Sequence, residues 1–549
     1  MKKIPVVFIC LFYATNIMAQ VAPDNYRIFF TDKNNSEYSI NHPEKFLSQQ
    51  AINRRLLQNI EIKENDLPVN SIYLDSLKSL GLKISNTSKW LNSAVVFTTD
   101  QLLMDTINKL SFVKSSQKTG FNKPTNKSKK HNCRTNTYQF KGDSTFDYGY
   151  ATTQIAMLNG HVLHRNGNLG QSKTIAVLDA GFFNVDKLPA FDSLWKNNQI
   201  LGTYDFVDDD TEVFDASSHG MKVLSVMGGN IPGELIGTAP KANYWLLRTE
   251  ETASEFSIEE DNWVAAAEFA DSVGADIINT SLGYFEFDDP LLNYIYQDMN
   301  GNTAFITKAA DIAASKGMLV VASAGNQGDD PWKYITAPAD GDSVLTVGSV
   351  NQYAEYSYFS SIGPTADGRI KPNVAAIGYQ AAIQGIDGSV TASNGTSFSA
   401  PLISGLAACL WQYYPDMNNI EILKKIEESA HQYSTPDNFT GYGIPDFGKA
   451  AELIHSNLPS FVHYIPGINI YPNPFYNELH IEIDLDEENI VLIEIYSITG
   501  NQIKQLKPEN HNNSKINITI SGLNDIPSGI YLLKIHLDNY SISKRISKI

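Results

Sequence analysis

The segment that most constrains this chain is Asn394-Gly395-Thr396-Ser397-Phe398-Ser399-Ala400-Pro401, together with the apolar stretch that runs on from it to Leu410. Phe398, Ala400, Leu402, Ile403, Leu406, Ala407 and Leu410 are apolar on more than one face of a helix, so that helix must be enclosed on most of its surface. Such a helix belongs in the middle of a layered domain rather than on its rim. Pro401 falls in the first turn, where a missing N–H is tolerated. Gly395 and Thr396 let the chain turn sharply just before it. Ser397 is thereby placed at a helix N-terminus, where free backbone N–H groups favour developing negative charge.

At 549 residues the chain is too long for one core, and about two to four domains are expected. From 146 to 455, short and nearly continuous apolar strands (Thr174 to Asp179, Trp245 to Arg248, Ala275 to Asn279, Met318 to Ser323) alternate with helical stretches (Met221 to Met227, Ile258 to Ser272, Thr303 to Ser315). That alternation predicts an α/β domain with a mostly parallel sheet flanked by helices. Active sites on such sheets lie at the carboxyl ends of strands. Asp179 is at one such end, and Asn279 and Asn326 lie at or just beyond two others.

Two smaller units flank this domain. Residues 20–120 read as a small α+β domain, with strands at Tyr26 to Phe30 and Ser93 to Phe97 and helices around Glu44 to Leu57, Ser71 to Leu80 and Thr99 to Leu110. Residues 121–145 are polar and basic without periodicity, an exposed linker open to proteolytic nicking. From 467 to 549 the period returns to two, in Leu479 to Leu485, Val491 to Tyr496, Ile516 to Ile520 and Ile530 to Leu537. Turn residues at Thr499-Gly500-Asn501 and Pro527-Ser528-Gly529 separate these strands, which predicts a small β-sandwich. Internal repeats are not evident.

The first 19 residues carry Lys2 and Lys3, an apolar run from Ile4 to Tyr13 and a small residue at Ala19. That is the pattern of a cleavable secretory signal, and no other stretch is long and apolar enough to span a bilayer as a helix. A net charge of −18 argues against nucleic acid or an anionic membrane as main partner. Outside the signal only Cys133 and Cys409 remain, too few for a disulfide framework. Cys409 reads as a small buried hydrophobe, with a bridge to Cys133 as the alternative.

A serine hydroxyl attacks only when a base removes its proton, and that base needs an orienting group. His219 opens a helix at Ser218-His219-Gly220, and Asp179 ends a strand. The chain order Asp179, His219, Ser397 is one known for such triads. Each residue alone reads as a cap or turn residue; together they read as a nucleophile with its base.

Gly395 to Pro401 resembles the serine signature of the subtilisin-like serine proteases. Asp179-Ala180-Gly181 resembles that family's aspartate motif, and His219-Gly220 with Val223 its histidine motif. Ala324-Gly325-Asn326 resembles the oxyanion-hole segment, and Ser281-Leu282-Gly283 the substrate-binding strand. Phe359-Ser360-Ser361, Gly363-Pro364, Lys371-Pro372-Asn373 and Ala375 resemble the segment preceding the serine motif. The resemblance implies an endopeptidase acting on polypeptides. In it Ser397 is the nucleophile, His219 the base, Asp179 its orienting group and Asn326 an oxyanion donor, while Ser281, Leu282 and Gly283 pair with extended substrate.

Two positions depart from the family: Lys222 stands where a second histidine is usual, and Ala180 where Thr or Ser is usual. No cofactor or metal is expected. Calcium, common in the family, has no clear motif here, and Asp208-Asp209-Asp210 reads as a solvated acidic loop. Residues 20–120 resemble the inhibitory propeptide of these enzymes, a permanent accessory domain being the alternative.

Ile470-Tyr471-Pro472-Asn473-Pro474, Tyr496-Ser497-Ile498-Thr499-Gly500, Gly529-Ile530-Tyr531-Leu532-Leu533 and Lys544-Arg545 resemble the sorting domain of the type IX secretion system. That implies the type IX machinery as a partner and a secreted or surface location reached through the periplasm. Alternative readings are an inactive subtilase-like peptide-binding protein and a different α/β hydrolase such as an esterase. The latter is disfavoured by the absence of a G-x-S-x-G elbow at Ser397.

Overall fold

The computed structural model describes residues 24–120, 146–457, 468–484, 490–497, 502–507, 515–537 and 541–549. The signal segment 1–19, the linker 121–145 and Cys133 lie outside the described residues. Two compact units divide the chain, residues 1–455 and 456–549.

The first unit opens with a four-stranded antiparallel sheet made of β1 (Asn25–Phe30), β2 (Lys83–Ser88), β3 (Ser93–Phe97) and β4 (Val113–Lys118), in the order β2-β3-β1-β4. Helices α1 (Gln49–Leu57), α2 (Ser71–Ser79) and α3 (Gln101–Ile107) accompany it. Each is capped by a side chain accepting from a first-turn N–H: Ser48 from Ala51, Asn70 from Ile72, and Asp100 from Leu102 and Leu103. The helical stretch expected from Glu44 is interrupted, because Ser48 takes an extended conformation (φ −67, ψ 162) to cap α1. Ile28, Leu77, Val96 and Ile107 form the core. The edge strands β2 and β4 escaped the sequence reading because KISNTS and VKSSQK carry few apolar residues.

The larger part of this unit is built on seven parallel strands: β5 (Thr174–Asp179), β6 (Ile200–Asp205), β7 (Asn243–Arg248), β8 (Ile277–Thr280), β9 (Leu319–Ser323), β10 (Val344–Val350) and β11 (Val374–Ile377). Their order is β11-β10-β9-β8-β5-β7-β6, every pair parallel. Successive side chains of β5 enter opposite cores. Ile175 and Val177 join one with α4 (His219–Gly228), and Ala176 and Leu178 join the other with α5 (Ile258–Val273) and α6 (Phe305–Ser315). Helix α7 (Thr396–Tyr413) lies in the first core, buried continuously from Thr396 to Trp411, as its apolar surface requires. The hydroxyl of Ser404 on α7 donates to Asn279 Oδ1 of β8 at 2.8 Å, so Asn279 ties the helix to the sheet.

Buried ion pairs join α5 to the N-terminal sheet and helices. Arg27 of β1 donates to both Asp261 oxygens at 2.6 and 2.7 Å and stacks 3.5 Å from the Phe305 ring centroid. Glu268 accepts from Ser88 Oγ and from the backbone N–H groups of Lys89 and Trp90 at 2.6, 2.7 and 2.9 Å. Asp271, fully buried, takes Arg54, Arg55 at 2.9 Å and Lys89 at 3.3 Å.

The second unit contains two antiparallel sheets. One has β12 (Ile468–Tyr471), β13 (Leu479–Asp484) and β16 (Lys515–Ile520); the other has β14 (Ile490–Ser497), β15 (Gln502–Leu506), β17 (Gly529–Leu537) and β18 (Ser541–Lys548), in the order β15-β14-β17-β18. Ile481 and Ile518 from the first sheet share a core with Ile493, Leu533 and Ile546 from the second. The four strands read from sequence are present, with three shorter or more polar ones added.

Candidate active site

β5 delivers Asp179 at its carboxyl end, fully buried and opposite Arg248 of β7. His219 begins α4, and its Nδ1 meets Asp179 Oδ1 at 2.6 Å. The same carboxylate oxygen accepts the Ala180 N–H at 2.8 Å, so Asp179 and the imidazole are both oriented. The approach depends on Gly220: a Cβ there would sit 2.6 Å from the Gly181 carbonyl and 2.8 Å from Asp179 Cβ. Asp179 Oδ2 is buried without a hydrogen-bond partner.

Burial works against the imidazolium of His219. The charge of Asp179 and its hydrogen bond outweigh that cost and hold the histidine above its ordinary pKa, with Lys222 pulling the other way. A third of the His219 side chain (33%) remains exposed, which leaves its outer edge open to an incoming group.

Ser397 lies in the first turn of α7, 6% exposed, and the ring of its neighbour Phe398 stands 6.1 Å from the His219 ring. Ser397 and Ser281 are joined reciprocally. Ser281 Oγ donates to the Ser397 carbonyl at 2.9 Å, and Ser397 Oγ donates to the Ser281 carbonyl at 3.3 Å. Ser281-Leu282-Gly283 continues the chain from β8, and Gly283 is required there: an added Cβ would lie 2.1 Å from Thr336 Oγ1.

Asn326 follows β9 and is exposed. Its Oδ1 accepts the Thr396 N–H at 2.9 Å and lies 3.0 Å from the Thr396 hydroxyl. Because the backbone group is a donor, the amide oxygen must face it, and Nδ2 is left pointing away as the available donor. All four residues expected from the sequence therefore gather at the carboxyl ends of β5 and β9 and the start of α7.

The reciprocal Ser281–Ser397 link and the Thr396 clamp on Asn326 were not foreseen. Nor was a group of buried and half-buried glutamates, Glu250, Glu255 and Glu259, the first of them close enough to Asp179 and His219 to feel their charges; the density of acidic residues between Glu250 and Asp261 was the available signal. The acidic loop is engaged within the protein. Asp208 pairs with Arg248 at 2.7 Å, Asp209 accepts from the Tyr204 hydroxyl at 2.7 Å, and Asp210 bridges back to Asp205. Cys409 is a buried free thiol whose Sγ donates to the Thr238 carbonyl at 3.2 Å.

A serine at the N-terminus of a buried helix and a histidine held by a strand-end carboxylate, their two helices packed on one face of a parallel sheet, are the parts a serine hydrolase of the α/β class needs. The chain belongs to the subtilase family, whose model matches residues 170–443, and it is a subtilisin-like serine peptidase. A Bacteroidota peptidase S8 propeptide domain matches residues 25–136, and a secretion system C-terminal sorting domain matches residues 469–548. Subtilisin NAT of Bacillus subtilis subsp. natto is 28% identical over 302 residues, covering 54% of this chain and 70% of that protein. A thermophilic serine proteinase of Bacillus sp. (strain AK1) is 29% identical over 311 residues, covering 56% and 65%. The crystal structure of MycP1 from Mycobacterium smegmatis has a TM-score of 0.42 and 25% identity, covering 57% of this chain and 86% of that one. The sorting domain marks the protein for export, to the medium or the cell surface. No helix among the described residues is long and apolar enough to cross a membrane.

Proposed function

We propose that the protein is a secreted serine endopeptidase that hydrolyses peptide bonds through an acyl-enzyme formed on Ser397. The observation that carries this reading is the 2.6 Å Asp179–His219 hydrogen bond, with the ring of Phe398, the residue after Ser397, 6.1 Å from the His219 ring. In the reaction, Ser397 Oγ turns from the Ser281 carbonyl to the exposed edge of His219 and attacks the scissile carbonyl. His219 takes the proton, and its cation is stabilised by Asp179. Asn326 Nδ2 donates to the tetrahedral oxyanion, and the amine leaves with the proton returned by His219. Water then repeats the cycle on the acyl-enzyme. Ser281 to Gly283 hold the substrate backbone in extended form.

The N-terminal domain, docked through its ion pairs to α5, acts as the inhibitor and is detached by cleavage within 121–145. The type IX machinery is the partner in export.

The test is labelling of the matured protein with a fluorophosphonate, with the adduct mapped by peptide sequencing. Labelling of Ser397 that blocks casein cleavage is the expected result, and Ser397→Ala abolishes both. An active Ser397→Ala protein would refute the mechanism. The hydrogen bond from Ser397 to Ser281 favours one other reading, a cleft that binds peptide without cutting it. Failure of mature protein to label would support that reading.

A further inference from the structure

Two glycines beside the nucleophile meet the same atom. Gly283 ends the segment that continues from β8, and Gly325 precedes Asn326 after β9. Both segments are tied to the start of α7: Ser281 to Ser397 by the reciprocal link, and the Gly325 carbonyl to the Thr396 hydroxyl, which donates to it at 3.1 Å. Between them stands the hydroxyl of Thr336. A Cβ on Gly283 would lie 2.1 Å from Thr336 Oγ1, and one on Gly325 would lie 3.1 Å from it. The backbone fixes this position to both sides. The Thr336 N–H donates to the Ala324 carbonyl at 3.3 Å, and the next residue, Ala337, exchanges hydrogen bonds with Tyr284 at 2.8 and 3.0 Å. Thr336 is thus the floor of a gap walled by residues 281–283 and 324–326.

That floor is high. Gly283 is exposed, so the mouth of the gap is open, but Thr336 is only 1% exposed. Its Oγ1 is buried and has no hydrogen-bond partner among the described residues, so packing between the two glycines places it. A water-sized group does not reach this oxygen, and a methylene is larger.

In the reaction proposed above, the scissile carbonyl lies between Ser397 Oγ and Asn326 Nδ2, with the substrate backbone along residues 281–283. An extended chain sends alternate side chains to opposite faces. The residue that carries the scissile carbonyl then sends its side chain into the gap, away from His219. We propose that Thr336 closes this gap and restricts cleavage to bonds that follow glycine, alanine or serine. The inference rests on the proteolytic reading and names its substrate class. One extra methylene shifts selection in an enclosed site by about 10–200-fold, so a benzyl side chain should be disfavoured by about 100-fold or more.

The experiment measures kcat/KM of the matured protein, per fluorophosphonate-titrated Ser397. The substrates are fluorogenic peptides identical except for alanine, serine, leucine or phenylalanine on the acyl side of the cut. Alanine and serine should exceed leucine and phenylalanine by about 100-fold or more. Thr336→Gly removes the oxygen without breaking a side-chain hydrogen bond; it should raise the phenylalanine value by about tenfold or more while alanine stays within about threefold. Thr336→Val keeps the shape and discards the hydroxyl, so it should retain the original order of preference. Should Thr336→Gly fail to fold, Thr336→Ala should improve phenylalanine by about threefold or more. Phenylalanine cleaved within about fivefold of alanine, or an order unchanged by opening the floor, would overturn the proposal and leave the labelled protease standing. A protein that neither takes the label nor cuts any peptide of the set would overturn both readings.

Discussion

Replacing Asp271 by alanine should separate inhibition from catalysis. Every side-chain partner of this carboxylate (Arg54, Arg55 and Lys89) comes from the N-terminal domain. Asp271 and Arg55 are 0% and 1% exposed at the side chain, so removing the acid strands cations away from water. Breaking a buried pair in this way costs about 3–5 kcal/mol, which is between about 160-fold and about 5,000-fold in affinity. With the N-terminal domain gone, position 271 faces solvent on α5, and the substitution should leave the freed enzyme nearly unchanged.

The assay takes chains cut within residues 121–145 and follows hydrolysis of a fluorogenic peptide as the protein is diluted. The concentration at which half the activity appears should rise by the stated factor in Asp271→Ala. Activity per fluorophosphonate-titrated site should stay within about twofold. A midpoint shifted by less than about fivefold would show that these ion pairs do not hold the inhibitor.

The pH dependence of that midpoint arises at the same site. Burial alone would raise the pKa of Asp271, but Lys89, Arg54 and Arg55 outweigh it and hold the carboxylate well below its usual range. Its contribution to docking is therefore complete above the ordinary carboxylate pKa. It fades only as pH falls through the strongly acidic value in the docked state. The part of the midpoint that depends on Asp271 should be flat between about pH 5 and pH 8.

Asn326→Ala should lower kcat by about 10²–10³, the size found on removing such a donor from subtilisin, with KM little changed. Lys222→Gln removes a charge that lowers the His219 pKa; since the base must be neutral, the acidic limb of kcat/KM should move to higher pH, as a pH–rate profile would show. Gly220→Ala should force α4 away from Asp179 and reduce kcat well over tenfold, measured per labelled Ser397, because the added carbon meets backbone at 2.6 Å. Deleting residues from 467 onward should leave an active enzyme in the periplasm, detectable by cell fractionation.

Asp179, His219, Ser397 and Asn326 were legible because each is carried by a short string whose neighbours are dictated locally. These strings are an apolar strand ending in an acid, glycines that permit close approach, and a helix apolar on all sides. The seven-stranded sheet was legible only where strands were nearly all apolar; β6, with Gly202 and Thr203, β10, with Gly348 and Ser349, and the four-residue β11 were not. The anchors of the N-terminal domain were invisible for a different reason. Arg54 and Asp271 are 217 positions apart, and nothing in the local pattern around either specifies the other. The glutamate group has the same origin, since its members become neighbours only when the loop after β7 folds back onto α5.

Ion pairs buried across a domain boundary survive a cut in the chain. When the segment between residues 120 and 146 is severed, Arg27, Arg54, Arg55 and Lys89 still hold Asp261 and Asp271, so cleavage and release are separate events. A peptidase bearing an export tail at its other end can thus cross the periplasm already processed yet silent. Under the proposed function the clock of such an enzyme would be the departure of the N-terminal domain rather than the cut that precedes it.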